Sequence, residues 1–129
     1  MGEPDPALIL VADDDCQVHL LVREILEREG FQIVTAEDGE RALELAVERR
    51  PALMILDIMM PKMDGYAVLT RLRGHTATRE IPAIILTGQT EEIYQGLSEG
   101  LGAIAHLTKP FTPERLVAEV RRHLPGKGS

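Results

Sequence analysis

The chain has no tryptophan, two tyrosines and two phenylalanines among its 129 residues. So few rings weigh against stacked bases or a sandwich around a flavin. Its single cysteine, Cys16, cannot form an intrachain disulfide, which suits a reducing compartment. The plainest reading of Cys16 is a small apolar helix residue. No apolar run approaches the ~20 residues of a membrane-spanning helix. Met1 to Pro6 carry acids and prolines, not the basic and then apolar stretch of a secretory signal. Excess positive charge is lacking too. Fourteen basic against 21 acidic residues give a net charge of −7. That balance argues against a broad nucleic-acid or anionic-membrane surface, though not against a local basic patch. The expectation is a soluble, cytoplasmic protein that touches neither membrane nor nucleic acid directly.

What is present is a normal globular balance of 44% apolar and 27% charged residues. A chain of this length is one domain by size and buries roughly two-thirds of its unfolded surface. Residues 1–6 read as a flexible N-terminal tail, 7–124 as the domain, and 125–129 as a C-terminal tail or linker stub. Between the ends, strand-like and helix-like stretches alternate five times. The first strand lies near Leu8 to Ala12. Asp15 caps the helix after it, whose apolar stripe is Val18, Leu21, Val22, Ile25 and Leu26. Gly30 ends that helix. A second strand runs near Gln32 to Ala36, and Asp38-Gly39 turns into a helix carrying Ala42, Leu43, Ala46 and Val47. Pro51 opens the third strand, which ends before Asp57. A short helix from about Gly65 to Arg73 follows a loop at Pro61 to Gly65. Pro82 precedes the fourth strand, and Ile93, Leu97 and Leu101 mark a fourth helix. After the fifth strand, Thr112-Pro113 is an N-cap followed by proline at the first helical position. Leu116, Val117, Val120 and Leu124 form the buried face of the last helix.

The strands are near-continuous apolar runs, as in a parallel sheet covered on both faces. The expected fold is therefore α/β, a flavodoxin-like (βα)5 domain with five parallel strands in the order 2-1-3-4-5. Each of four runs stops at polar or charged residues: Asp13 and Asp14, Asp57, Thr87, and Thr108-Lys109. In an open α/β sheet, ligands bind at that end of the strands. Strands 1 and 3 are neighbours in this order, so Asp13, Asp14 and Asp57 crowd one crevice. Carboxylates that close repel, and desolvation adds to the cost. A hard divalent cation and the Lys109 ammonium can offset both, with the Thr87 hydroxyl between them. An anionic ligand with several oxygens, such as a phosphoryl group, completes such a site.

At this point the chain resembles the receiver domain of bacterial two-component response regulators. The matching pieces are Leu10-Val11-Ala12-Asp13-Asp14-Asp15, Leu56-Asp57-Ile58-Met59-Met60-Pro61-Lys62-Met63-Asp64-Gly65, Ile85-Leu86-Thr87-Gly88 and Leu107-Thr108-Lys109-Pro110-Phe111. They run in the family's order and spacing from about Leu8 to Leu124. The resemblance implies that Asp57 accepts a phosphoryl group from a histidine kinase. It implies Mg²⁺, with Mn²⁺ as a substitute, bound by Asp14, Asp57 and the Met59 backbone carbonyl, with Asp13 acting mainly through water. Lys109 pairs with Asp57 and then with the phosphoryl oxygens, and Thr87 moves to hydrogen-bond the phosphoryl group. Phosphoryl transfer needs positioning and charge neutralisation more than covalent help, which agrees with this residue set.

Four positions depart from the family pattern. His106 stands where the family often has Tyr or Phe. It reads either as a partly exposed polar residue at the sheet edge or as a switch residue with pH-sensitive output. Ile104 and Ala105 replace two acids that support one common receiver dimer. We therefore expect a monomer or weak dimer, with the apolar pair in an output surface of fourth helix, fifth strand and fifth helix. Gly88 stands where Ala is common, giving Thr87 extra backbone freedom. Met59 and Gln89 border the phosphoryl group in receivers and tune its hydrolysis. Met59 offers no strong acceptor for an attacking water, while Gln89 can bond it, so an intermediate phosphorylated lifetime is expected.

The expected partners are a histidine kinase or histidine phosphotransfer protein on one side and an output protein or domain on the other. The chain is not expected to be an enzyme beyond its own phosphorylation and dephosphorylation. A phosphorelay intermediate that passes the group to a second histidine protein, or a receiver cut from a longer regulator, remain open. A haloacid dehalogenase-like phosphatase needs a second Asp where Met59 sits. A flavodoxin places its phosphate loop after the first strand, whereas Thr87-Gly88-Gln89-Thr90 follows the fourth. A degenerate receiver would lack part of the set that is complete here.

Overall fold

Five parallel strands form one sheet in the order β2-β1-β3-β4-β5 in the computed structural model, which describes residues 6–88 and 103–124. The strands are β1 (Leu8–Ala12), β2 (Gln32–Ala36), β3 (Leu53–Asp57), β4 (Ala83–Thr87) and β5 (Ala103–Thr108). The described helices are α1 (Cys16–Arg28), α2 (Gly39–Arg49), α3 (Gly65–Arg73) and α4 (Pro113–His123), the last being the C-terminal helix. The expected fourth helix, with Ile93, Leu97 and Leu101, lies outside the described residues. So do Gln89, the side chain of Ile104, residues 1–5 and residues 125–129. Among the described residues no helix is long and apolar enough to cross a membrane.

The strands divide their side chains between two cores. On one face Leu10, Met54, Leu56 and Ile85 pack with Ala42 and Ala46 of α2 and Val68, Leu69 and Leu72 of α3. On the other, Ile9, Val11, Ile55, Ile84, Leu86 and Leu107 meet Val22 and Leu26 of α1 and Leu116 and Val120 of α4. Alternate residues along one strand serve opposite faces, so every strand position inside the sheet must be apolar. β3 is buried along its whole length, Asp57 included. The third strand thus runs one residue further than expected, because Asp57 still pairs in register with Leu86 of β4.

The helices begin where short polar side chains can accept from open backbone amides. Asp15 accepts from Gln17 N–H, Asp38 from Arg41 N–H, Asp64 from Ala67 N–H and Thr112 from Arg115 N–H. α1 stops ahead of Gly30 at φ 93, and α2 ends on Arg50 at φ 46, just before Pro51. The helical stripes hold in part. Leu21 and Val47 are 44% exposed, while Leu45 and Glu119 are buried. Glu119 lies 3.4 Å from Arg115 and 3.9 Å from Arg122, with His123 3.4 Å away, so two guanidinium groups accompany its burial. Cys16 is exposed at the first position of α1 rather than packed as an apolar residue.

Ile55 lies in the central strand with no exposed surface. Ile55→Ala should destabilise the fold by ~2–5 kcal/mol, through lost burial and an unfilled cavity. Urea denaturation reads this as a lower midpoint at unchanged slope; a loss below ~1 kcal/mol would contradict a tightly packed centre.

Candidate functional site: an acidic crevice at the strand ends

Register brings the polar strand ends together. Ala12 of β1 pairs with Leu56 of β3, so Asp13 and Asp57 come next on neighbouring strands. Thr87 pairs with Thr108, so Lys109 follows one residue beyond the sheet. Backbone bonds extend the ladder past these ends. Asp13 N–H donates to Ala36 O at 3.1 Å, Ile58 N–H to Leu86 O at 3.1 Å, and Lys109 N–H to Thr87 O at 2.7 Å. These bonds hold the residues that carry the site in extended backbone.

Asp13 has no exposed surface, and Asp57 keeps 5%. Lys109 Nζ lies 2.9 Å from Asp13 Oδ2 and 3.2 Å from Asp57 Oδ2. It donates a hydrogen bond to Asp57. Its contact with Asp13 is the shorter of the two ion pairs and falls on a buried oxygen. The other oxygens are held by backbone. Asp15 N–H donates to Asp13 Oδ1 at 2.9 Å, and Met59 N–H donates to Asp57 Oδ1 at 3.1 Å. Asp14 is exposed beside them. One carboxylate oxygen from each of Asp13, Asp14 and Asp57 lies within 4.8 Å of the other two.

Burial pushes the Asp57 carboxyl above its ordinary value. The Met59 amide pulls it back, the charge of Asp13 adds to the rise, and Lys109 does not cancel it. For Lys109, burial alone would lower the ammonium, but Asp13 and Asp57 outweigh it and raise the group overall. One ammonium therefore faces three carboxylates. A hard cation with oxygen ligands fits this donor set of three clustered carboxylates.

Sequence reasoning anticipated Asp13, Asp14, Asp57 and Lys109 in one crevice, and the structure brings these four together. Thr87 ends β4 one residue beyond the partner of Asp57 and is partly buried. Met59 is 72% exposed, and its backbone, not its side chain, faces the acceptor. His106 is partly buried on β5 and pairs in register with Ile85. It sits in the body of the strand, three residues before Lys109. Ala105 packs against the core on the α1 and α4 side, so it is not wholly a surface residue. Gly88 is exposed, and a Cβ there would meet nothing within 4 Å.

Two features went unread in the sequence. Asp13 is the nearer partner of Lys109. Gly65, read as the end of a loop and the start of a short helix, packs on the acceptor: a Cβ on it would lie 2.7 Å from Asp57 O. The Asp64-Gly65 pair was the only local signal for that contact.

The sheet order and the acidic crevice at its switch point define a flavodoxin-like α/β protein. The response regulator receiver domain profile matches residues 9–121, and the chain belongs to that family. It is 41% identical over 113 residues to the alkaline phosphatase synthesis transcriptional regulatory protein PhoP of Bacillus subtilis. That match covers 88% of this chain and 46% of PhoP. The transcriptional regulatory protein SrrA of Staphylococcus aureus matches with the same identity and coverage. The chain thus spans about half the length of these relatives. The solved structure of the Vibrio cholerae chemotaxis protein CheY4 superposes with a TM-score of 0.87 at 31% identity. It covers 91% of this chain and 98% of that one.

Because Asp57 is raised, its ionised form disfavours folding at neutral pH. Asp57→Asn should therefore raise Tm in metal-free buffer at pH 7. The gain should shrink as pH falls through the raised folded value and vanish below the ordinary value of 3.8. Calorimetry across this range checks it; equal Tm values at pH 7 would contradict the assignment.

Proposed function

We propose that this receiver domain takes a phosphoryl group onto Asp57 from the phosphohistidine of a histidine kinase or histidine phosphotransfer protein. The observation that carries the reading is the Lys109 ammonium set between Asp13 and Asp57, with the Asp14 carboxylate beside them. In the transfer, an Asp57 carboxylate oxygen forms the new P–O bond. The P–N bond to the donor imidazole breaks, and that nitrogen keeps the electron pair.

Asp14, Asp57 and the Met59 carbonyl would hold Mg²⁺, or Mn²⁺ in its place, with Asp13 acting through water. Such a cation supplies charge neutralisation between carboxylate and phosphoryl group. The chain's own residues do the rest. Lys109 offsets the charge of Asp57 before transfer and pairs with phosphoryl oxygens after it. The Met59 amide holds one Asp57 oxygen in a fixed direction. Thr87 supplies the hydroxyl that follows the phosphoryl group and couples chemistry to shape. Met59 and Gln89, two residues beyond Asp57 and Thr87, would tune hydrolysis to an intermediate lifetime, and His106 on β5 would take the switch role.

The output is partner binding through a face built from the expected fourth helix, β5 and α4, with the protein as monomer or weak dimer in the cytoplasm. The protein catalyses only its own phosphorylation and dephosphorylation. Residues 7–124 are the receiver, with 1–6 read as an N-terminal tail and 125–129 as a C-terminal tail or linker stub. A second reading, a receiver segment of a longer regulator, is favoured by the 46% share of PhoP and SrrA that this chain spans.

A small acyl phosphate with Mg²⁺ should shift the protein in phosphate-affinity electrophoresis. The shift should disappear with EDTA and in Asp57→Asn. A persistent shift in Asp57→Asn would move the acceptor elsewhere, and no shift in wild type would sink the reading.

A further inference from the structure

The loop between β3 and α3 carries a strained residue with no assigned role. Lys62 has φ 69, in the left-handed region that glycine enters freely and lysine only at a cost. It is the centre of a three-residue turn in which Met63 N–H donates to Pro61 O at 2.7 Å. A γ-turn with positive central φ is the rare, strained form. Such strain persists only where the surroundings over-determine it.

Those surroundings are the start of α2. Lys62 Nζ lies 3.6 Å from Asp38 Oδ2 and 3.9 Å from Glu40 Oε1. Beside this pair the two segments are in direct contact: a Cβ on Gly39 would fall 2.3 Å from Met63 O and 2.6 Å from Met63 Cβ. The same loop begins at Met59, whose amide orients Asp57. It ends at Gly65, whose N–H donates to Ile58 O at 3.0 Å. The loop is therefore anchored at the acceptor and, through the Gly39–Met63 contact and the Lys62 ion pairs, at α2.

We propose that Lys62, tethered to Asp38 and Glu40, is a positioning residue that holds the β3–α3 loop in the conformation that presents Met59 to the Asp57 site. This rests on the Mg²⁺-dependent reading of Asp57 above. The tether spends backbone strain on site geometry, so stability and site affinity respond oppositely when it is removed.

Lys62→Gly removes both the strain and the tether. Calorimetric titration with MgCl₂ should show affinity weakened about three- to tenfold, the combined weight of exposed ion pairs and added glycine freedom. Tm should stay equal or rise. Lys62→Arg should retain the wild-type affinity. Asp38→Asn with Glu40→Gln keeps the helix-capping oxygen and should weaken Mg²⁺ in the same direction as Lys62→Gly. In metal-free buffer the Met59 amide should exchange with deuterium faster in Lys62→Gly. Unchanged Mg²⁺ affinity and Met59 exchange in Lys62→Gly, or a weakening that tracks a falling Tm, overturns the proposal while leaving the function standing. A wild-type protein that binds no Mg²⁺ overturns both.

Discussion

The rest of the site depends on one ammonium shared by two buried carboxylates. Lys109 reaches from the end of β5 across β4, to 2.9 Å from Asp13 and 3.2 Å from Asp57. Without it, two like charges would be buried side by side at the switch point of the sheet with no cation between them. With it, the crevice still carries excess negative charge, since Asp14 stands beside the pair. That residual imbalance is what makes the crevice receptive to a cation and, once a cation is present, to an anionic group. A fully neutralised cluster would have no such appetite.

The sheet supplies the precision this interaction needs. Parallel pairing from β1 to β5 sets each polar strand end one residue past the last apolar pair. A one-residue slip of any strand would turn its apolar set toward the wrong core and withdraw its polar end from the crevice. The two cores therefore protect the site as well as the fold. Gly65 against Asp57 O and Gly39 against Met63 O show the same economy at the first positions of α3 and α2, where only a hydrogen fits. Lys62 departs from it: a non-glycine residue holds a left-handed conformation where two acids on α2 meet its ammonium.

Much of this was readable from local sequence. The strands at Leu8–Ala12 and Gln32–Ala36 and the helix at Gly65–Arg73 stand where apolar runs and turn residues put them. The caps at Asp15 and Thr112 follow from side-chain oxygens ahead of helical stripes. Helix faces were less legible. Leu21 is exposed and Leu45 buried because the width of each buried stripe depends on which neighbours cover it. Glu119 is buried among cations on its own helix, a spacing that is visible in sequence but equally common on solvated faces.

Short-range chemistry thus set the strands, the caps and the list of polar residues at the strand ends, because each depends on neighbours within a few positions. The family resemblance assigned roles to that list. What emerged with the fold was everything that depends on distance between remote segments. Asp13 as the nearer partner of Lys109, the upward shift of Asp57 and the strained Lys62 beside α2 have no signature in any local window. Coulomb and desolvation energies depend on separation and burial, and both come into being only when β1, β3 and β5 close around one crevice.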